Sequence, residues 1–189
     1  LKCGARTIHS WSGIKRANGS IRDIVYSVCH SSYSKSQWKK TKILIVDEVS
    51  MMSQKIFELL DAIGKAIKQV DKPFGGIQII CVGDFYQLPP VGSLDDETTS
   101  KFCFESPLWN ATFPKENQIQ LTHIFRQNDP LYKSILMEIR SGKISENSIE
   151  LLNNKVSDTT IHHCTKIFPK RKDVERVNQE YYNTLDKAH

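Results

Sequence analysis

The chain has 189 residues, 39% of them hydrophobic, and a formal net charge of +5, which is enough apolar material for a sizeable core in one large domain or one and a half. No apolar run approaches the roughly 20 residues that cross a bilayer, so a membrane-spanning helix is excluded. Acidic and basic residues alternate, so the net charge permits a polyanionic partner without naming one. Cys3, Cys29, Cys81, Cys103 and Cys164 lie far apart with no CxxC pair, which argues against a disulfide framework or zinc site and for an intracellular, reducing setting. His162-His163-Cys164 is read as no metal cluster, because adjacent residues rarely point at one ion.

The opening LKCGARTIHSW has neither an initiator methionine nor the composition of a signal or transit peptide. The expectation is a piece of a longer protein that starts mid-domain. IRDIVYSVCH carries apolar residues at 21, 24, 25 and 28, a helical spacing, and the polar SSYSKSQWKK after it is expected to be a loop. KILIV reads as a central strand, apolar on both faces as in a parallel sheet covered by helices. Ser53 then caps a helix whose apolar face is 56, 59, 60, 63, 67 and 70, ending before DKPFGG. IQIICV is a second buried strand that stops at Gly83-Asp84. Two strands around one helix make a βαβ unit, so Asp47-Glu48 and residues 83–87 should emerge at the same sheet edge, where open α/β sheets bind ligands.

Farther on, SPLWNAT has the cap and proline of a short helix and NQIQL reads as a third strand. Asp129-Pro130 opens a helix with apolar positions 131, 135, 136 and 139 that ends at Gly142, and Ser145 opens another. KIFP reads as a short strand before a helix bearing Val174, Val177, Tyr181 and Leu185. There is no internal repeat, and the expected domain junction is near Arg126 to Pro130.

Two adjacent carboxylates at the end of a buried strand cost solvation energy unless a cation or a proton-transfer task accounts for them. A metal-bound nucleoside triphosphate supplies both, with one carboxylate holding Mg²⁺ and the other taking a proton from the attacking water. The alternative, in which the acids only end a strand and cap the next helix, stays open on this pattern alone. Gln87, expected at the same edge, has an amide able to sense a γ-phosphate or orient water, or it is an ordinary loop glutamine beside a stiff Pro89-Pro90 turn.

These residues carry a resemblance. ILIVDEVSMM resembles motif II of superfamily 1B helicases, and PFGGIQIICVGDFYQLPPV resembles the region through motif III of the Pif family. GARTIHSWSGI is similar to its motif Ia, FCFESPLW to a stretch beyond motif III, and LTHIFRQND to its motif IV, in the family's order, covering most of residues 4–142. The resemblance implies an α/β fold: a RecA-like P-loop NTPase parallel sheet flanked by helices, its first domain incomplete at the N-terminus. Residues 1–127 would be RecA-like domain 1A with a small 1B-like insertion near 13–40, and 128–189 the start of domain 2A. It implies ATP and Mg²⁺ as cofactors, Asp47 as the metal ligand, Glu48 as catalytic base, Gln87 as the γ-phosphate contact and Arg126 as the arginine that neutralises charge on the transferring phosphate. The alternative for Arg126 is a surface salt bridge.

The same resemblance implies 5′ to 3′ translocation on single-stranded DNA and unwinding at single-strand/double-strand junctions, by a monomer, in a nucleus or mitochondrion if the source is eukaryotic. Thr7, His9 and Ser10 would bind backbone phosphates, Pro89, Pro90 and Val91 would touch the strand, Phe85 or Tyr86 would stack or support it, and Trp11 would either stack or pack in the core. Lys65 and Lys68 stand where the family commonly has arginines, which keeps charge and loses the bidentate fork. No GxxxxGK[ST] phosphate loop lies within the 189 residues, nor motifs V and VI, so these residues alone are expected to hydrolyse ATP poorly. A non-catalytic nucleic-acid-binding module of the same fold and a RecD-like exonuclease motor subunit are the competing readings; PFGGIQ together with VGDFYQLPPV argues against the latter.

Overall fold

The computed structural model describes residues 4–156 and 164–185, so Cys3, His162 and His163 lie outside the described residues. The chain divides into two compact units, Leu1–Lys143 and Ile144–His189.

The first unit opens with three helices, α1 (Ile8–Ser12), α2 (Ile21–His30) and α3 (Ser32–Lys40). The α3 segment corrects the loop expected over SSYSKSQWKK. Its polarity hides a single anchor: Trp38 is completely buried, its Nε1–H donates to the Ser12 carbonyl at 3.0 Å, and its ring lies 4.6 Å from that of Trp11. Ser31 caps the helix by accepting the Ser34 amide, so one aromatic side chain and one hydroxyl suffice to order nine residues of poor helical amphipathicity. Trp11 is therefore a partly buried core residue, packed against the main cluster.

Strand β1 (Ile43–Val46) pairs in parallel with β2 (Gln78–Cys81), Ile43 opposite Gln78 and Val46 opposite Cys81, and α4 (Gln54–Lys68) lies between them in sequence. The α/β fold with helices flanking a small parallel sheet is as expected, but one detail differs. Leu44 and Val46 are buried whereas Ile43 is 54% and Ile45 66% exposed, so β1 is covered on one face only among the described residues. On that face Leu44 and Val46 join one core cluster with residues of α2, α3 and α4. Ser53 accepts the Ile56 amide as the cap of α4, and Phe57, Leu59, Leu60, Ile63 and Ile67 recur at the helical period and are buried.

The PFGG turn has a packing reason. Phe74 and Gly75 adopt positive φ, and a Cβ added at Gly64 would lie 2.5 Å from the Phe74 carbonyl oxygen, so α4 and the turn touch backbone to backbone. The buried Asp61 carboxylate accepts the Phe74 amide at 2.7 Å and meets Lys65 at 2.9 Å. Lys68 donates to the carbonyls of Lys39 and Thr41, at 2.8 Å each. Both lysines thus tie α4 to its neighbours.

After β2 come a short α5 (Trp109–Thr112) and α6 (Pro130–Ser141), the latter capped by the Asp129 carboxylate and closed by Gly142 at φ 70°, as the sequence predicts. The expected strand NQIQL is absent. Residues 118–121 join no β-ladder among the described residues, and Ile119 and Leu121 are 82% and 86% exposed; a strand exists only with a neighbouring strand to bond. The second unit holds α7 (Glu146–Asn153), capped by Ser145, and α8 (Arg171–Thr184). KIFP is likewise irregular, for the same want of a partner.

Candidate functional site

Both strands end at one edge, and the chain turns sharply there. The Val82 amide donates to the Val46 carbonyl at 2.8 Å, and the Val49 amide donates to the Val82 carbonyl at 3.0 Å, stitching the two exits together immediately beyond the ladder. A Cβ added at Gly83 would lie 2.8 Å from the Val49 nitrogen, so only glycine lets the exits approach this closely. Glu48 sits in the left-handed region at φ 54° and ψ 46°, a conformation costing a non-glycine residue roughly 1–2 kcal/mol. Its amide donates to Asp47 Oδ1 at 2.9 Å. Val49 and Ser50 behind it are buried, while Asp47 and Glu48 are exposed.

Among the described residues neither carboxylate has a cationic partner, and the buried Ser50 hydroxyl makes no hydrogen bond. Hard oxygen donors held by a fixed backbone, without a protein cation to neutralise them, suit Mg²⁺. The donor set fits the metal of a metal–nucleotide complex; the residues of a phosphate loop are not among the 189.

The turn after β2 is organised differently. The Asp84 carboxylate takes a two-pronged grip from Arg140 of α6, with Nε donating to Oδ2 at 2.8 Å and Nη2 to Oδ1 at 2.9 Å. Asp84 Oδ1 also accepts the Tyr86 amide at 3.1 Å, and the Asp84 carbonyl accepts the Gln87 amide at 2.9 Å. The Arg140 guanidinium lies 4.4 Å from the centroid of the Tyr86 ring. The hydrogen bond from Arg140 is the main cause holding the Asp84 carboxyl below the usual carboxylate range, opposed by burial and helped by the Tyr86 amide and the Gln87 side chain. Phe85 points the other way, edge-on to Phe104 at 4.8 Å, and supports the turn from the core. Gln87 is exposed at the same edge as Asp47 and Glu48.

Arg140 has no counterpart in the sequence reading. A lone basic residue in the last turn of a helix reads as a solvated partner of the helix dipole, and nothing in the local pattern points to an acid 56 residues away.

A groove of about 700 Å³ joins two of the expected strand-contacting groups, since His9, Arg16, Lys55, Pro90, Val91 and Asp96 line it. A second, of about 540 Å³, is lined by Thr7, His9, Ser10, Lys15, Tyr33 and Ser34, so His9 belongs to both. Pro89 is exposed and lines neither. Thr7 has a local task as well, its hydroxyl accepting the Ser10 amide at 3.3 Å to cap α1. In the larger groove Lys55 is neutralised by Asp96 at 2.8 Å, whereas Arg16 has no ion-pair partner among the described residues. Arg126 is exposed in the irregular 118–129 stretch, and no bond or ion pair links it to Asp47, Glu48 or Gln87.

A family model described as PIF1-like helicase matches residues 1–150. The chain is 36% identical over 185 residues to the ATP-dependent DNA helicase RRM3 of Saccharomyces cerevisiae, covering 96% of this chain and 25% of that protein. It is 35% identical over 175 residues to the ATP-dependent DNA helicase PIF1 of Emericella nidulans, covering 91% and 23%. The chain therefore spans about a quarter of the length of these relatives. Among solved structures, the Pif1 helicase of Candida albicans superposes with a TM-score of 0.80 at 28% identity, over 97% of this chain and 41% of that one. The Bacteroides Pif1 helicase in complex with ADP-AlF3 and single-stranded DNA does so with a TM-score of 0.65 at 27% identity, over 82% and 38%. The RecA-like architecture, the two stitched strand exits and the match over residues 1–150 agree: the chain belongs to the PIF1-like helicase family.

Proposed function

We propose that these residues are part of an ATP-dependent DNA helicase that moves 5′ to 3′ on single-stranded DNA and unwinds duplex at a junction. The observation that carries the reading is the shared sheet edge, where Asp47, Glu48 and the Gln87 turn are joined by the Val49 to Val82 hydrogen bond. The family's printed activity and the nucleotide and single strand bound by the Bacteroides relative support it.

In this proposal Asp47 holds Mg²⁺, with the Ser50 hydroxyl buried in the turn behind it. The metal, when bound, supplies positive charge to the β- and γ-phosphates. Glu48, aimed by its left-handed backbone and free of a protein cation, accepts the proton of the attacking water. Gln87 contacts the γ-phosphate and orients that water, and Arg126 neutralises charge on the transferring group from the irregular segment that carries it. Thr7, His9, Ser10, Pro90 and Val91 form the wall along which the strand runs, with Pro89 beside it. Residues 1–127 form RecA-like domain 1A, with a small 1B-like insertion near 13–40, and 128–189 are the start of domain 2A. The protein acts as a monomer inside the cell, in the nucleus or mitochondrion if its source is eukaryotic; one solved relative is described as two coordinating Pif1 helicases at forked duplex DNA, so two copies meeting at a fork are the alternative.

The test uses the full-length protein that carries this sequence, with ATP and Mg²⁺, on forks bearing either a 5′ or a 3′ single-stranded tail. The proposal expects ATP-dependent unwinding of the 5′-tailed fork. Unwinding from the 3′ tail alone, or none with either tail, contradicts it.

A further inference from the structure

Arg140 stands in the last turn of α6, 53 residues beyond Gln87 in the sequence, yet three of its contacts converge on the β2 turn. Its fork meets both Asp84 oxygens at 2.8 and 2.9 Å, and its Cζ lies over the Tyr86 ring, 4.4 Å from the centroid. An ion pair this open to solvent contributes little to stability; what a bidentate guanidinium supplies is a fixed direction. The direction is passed on, because Asp84 itself holds the next backbone: its carboxylate accepts the Tyr86 amide at 3.1 Å and its carbonyl the Gln87 amide at 2.9 Å. The pair also closes a chain loop that contains both Gln87 and Arg126, and it fixes the C-terminal end of α6, the helix that begins just after the Arg126 segment.

We infer that Arg140 is a positioning residue: through Asp84 and Tyr86 it holds the turn that presents Gln87 to the γ-phosphate of a bound nucleoside triphosphate. The inference rests on Gln87 being that contact, as proposed above. Arg140 touches no reacting atom. It removes freedom from a turn whose other backbone support is slight, Gln87 being exposed and Leu88 and Pro89 likewise. It also cancels the charge of Asp84, a carboxylate that would otherwise stand unpaired at an edge built to receive a polyanion.

The experiment uses the full-length protein and the variants Arg140→Gln, Arg140→Lys, Gln87→Ala and the Arg140→Gln/Gln87→Ala double. Hydrogen exchange without nucleotide reads the turn directly. Arg140→Gln should speed exchange at the Tyr86 and Gln87 amides by about tenfold while the amides of β1 and α4 keep the wild-type rate, and Arg140→Lys, with charge but no fork, should fall between. Unchanged exchange at both turn amides overturns the positioning role; if Arg140→Gln does not fold, the Arg140→Lys result decides. In DNA-stimulated ATP hydrolysis, Arg140→Gln should lower kcat by roughly tenfold to a hundredfold with the KM for ATP within about twofold of wild type, and the double variant should be no slower than Gln87→Ala alone. Losses that multiply in the double variant show that Arg140 does not act through Gln87, and overturn the inference while leaving the Gln87 contact standing. Wild-type turnover by Gln87→Ala instead removes the Gln87 contact itself, and the inference falls with it.

Discussion

The two turns at the sheet edge reach their geometry by opposite means. After β1 the backbone is locked and the carboxylates are left without a cation: Glu48 is held left-handed, its amide donates to Asp47 Oδ1, Val49 is bonded to Val82 and buried, and neither acid is paired with a cation from the described residues. After β2 the backbone at Gln87 is exposed and the side chains are locked, by the Arg140 fork on Asp84 and the guanidinium over Tyr86. The contrast follows from the proposed tasks. Groups that must bind a metal and a proton keep their charges uncommitted and take precision from the main chain. A group that must respond to a phosphate sits on a turn held by an ion pair, which is easier to loosen.

Crowding the point where the two exits meet should have the largest effect on folding. Gly83→Ala places a methyl 2.8 Å from the Val49 nitrogen, and the exits must part to admit it, at a cost of about 1–3 kcal/mol in chemical denaturation. Wild-type stability in that variant would show that the exits are not tightly stitched. Glu48→Gly tests the strain from the other side: relief of the left-handed conformation, roughly 1–2 kcal/mol, is partly offset by the extra freedom glycine loses on folding, about 0.5–1 kcal/mol. The net expectation is unchanged or slightly raised stability together with lost hydrolysis. A clear loss of stability would mean the glutamate side chain supports the fold.

The second turn should answer to acid. Asp84 is held below the usual carboxylate range by Arg140, so the folded state binds this proton less readily than the unfolded state does, and stability rises with pH across the window. The contribution is complete above the ordinary aspartate value of about 3.9 and is lost as the pH falls through the lower folded value. Protection of the Tyr86 amide, taken relative to its intrinsic exchange rate at each pH, should therefore be steady from neutral pH down to that value and fall only below it, and Asp84→Asn should remove that dependence. A transition near neutral pH would assign it to another group.

Much of this arrangement is legible in the sequence wherever the governing physics is local. Ser53, Asp129 and Gly142 mark helix ends because caps act within a few residues, and the apolar runs ending at Asp47 and Gly83 mark parallel strands because both runs are short, β-branched and separated by an amphipathic helix. The failures are non-local. Helix α3 is polar and depends on where Trp38 packs, NQIQL and KIFP are apolar but lack a neighbour to pair with, and β1 has one open face because burial is decided by what covers it. Arg140 is the clearest case, since its meaning lies in an acid on another element. Asp47, Glu48 and Gln87 come out of the sequence at one edge because the βαβ rule places them there, whereas Arg126 comes from motif resemblance alone and the fold gives it no bonded neighbour among them.

The central claim is that Glu48 takes the proton from the attacking water while Asp47 holds the metal. The most direct measurement is single-turnover ATP hydrolysis on single-stranded DNA by the full-length protein carrying Glu48→Gln, alongside equilibrium binding of Mg²⁺–ATP to the same variant. The account predicts binding close to wild type and a chemical step slower by about a hundredfold to ten-thousandfold. Hydrolysis at the wild-type rate with binding intact would contradict it.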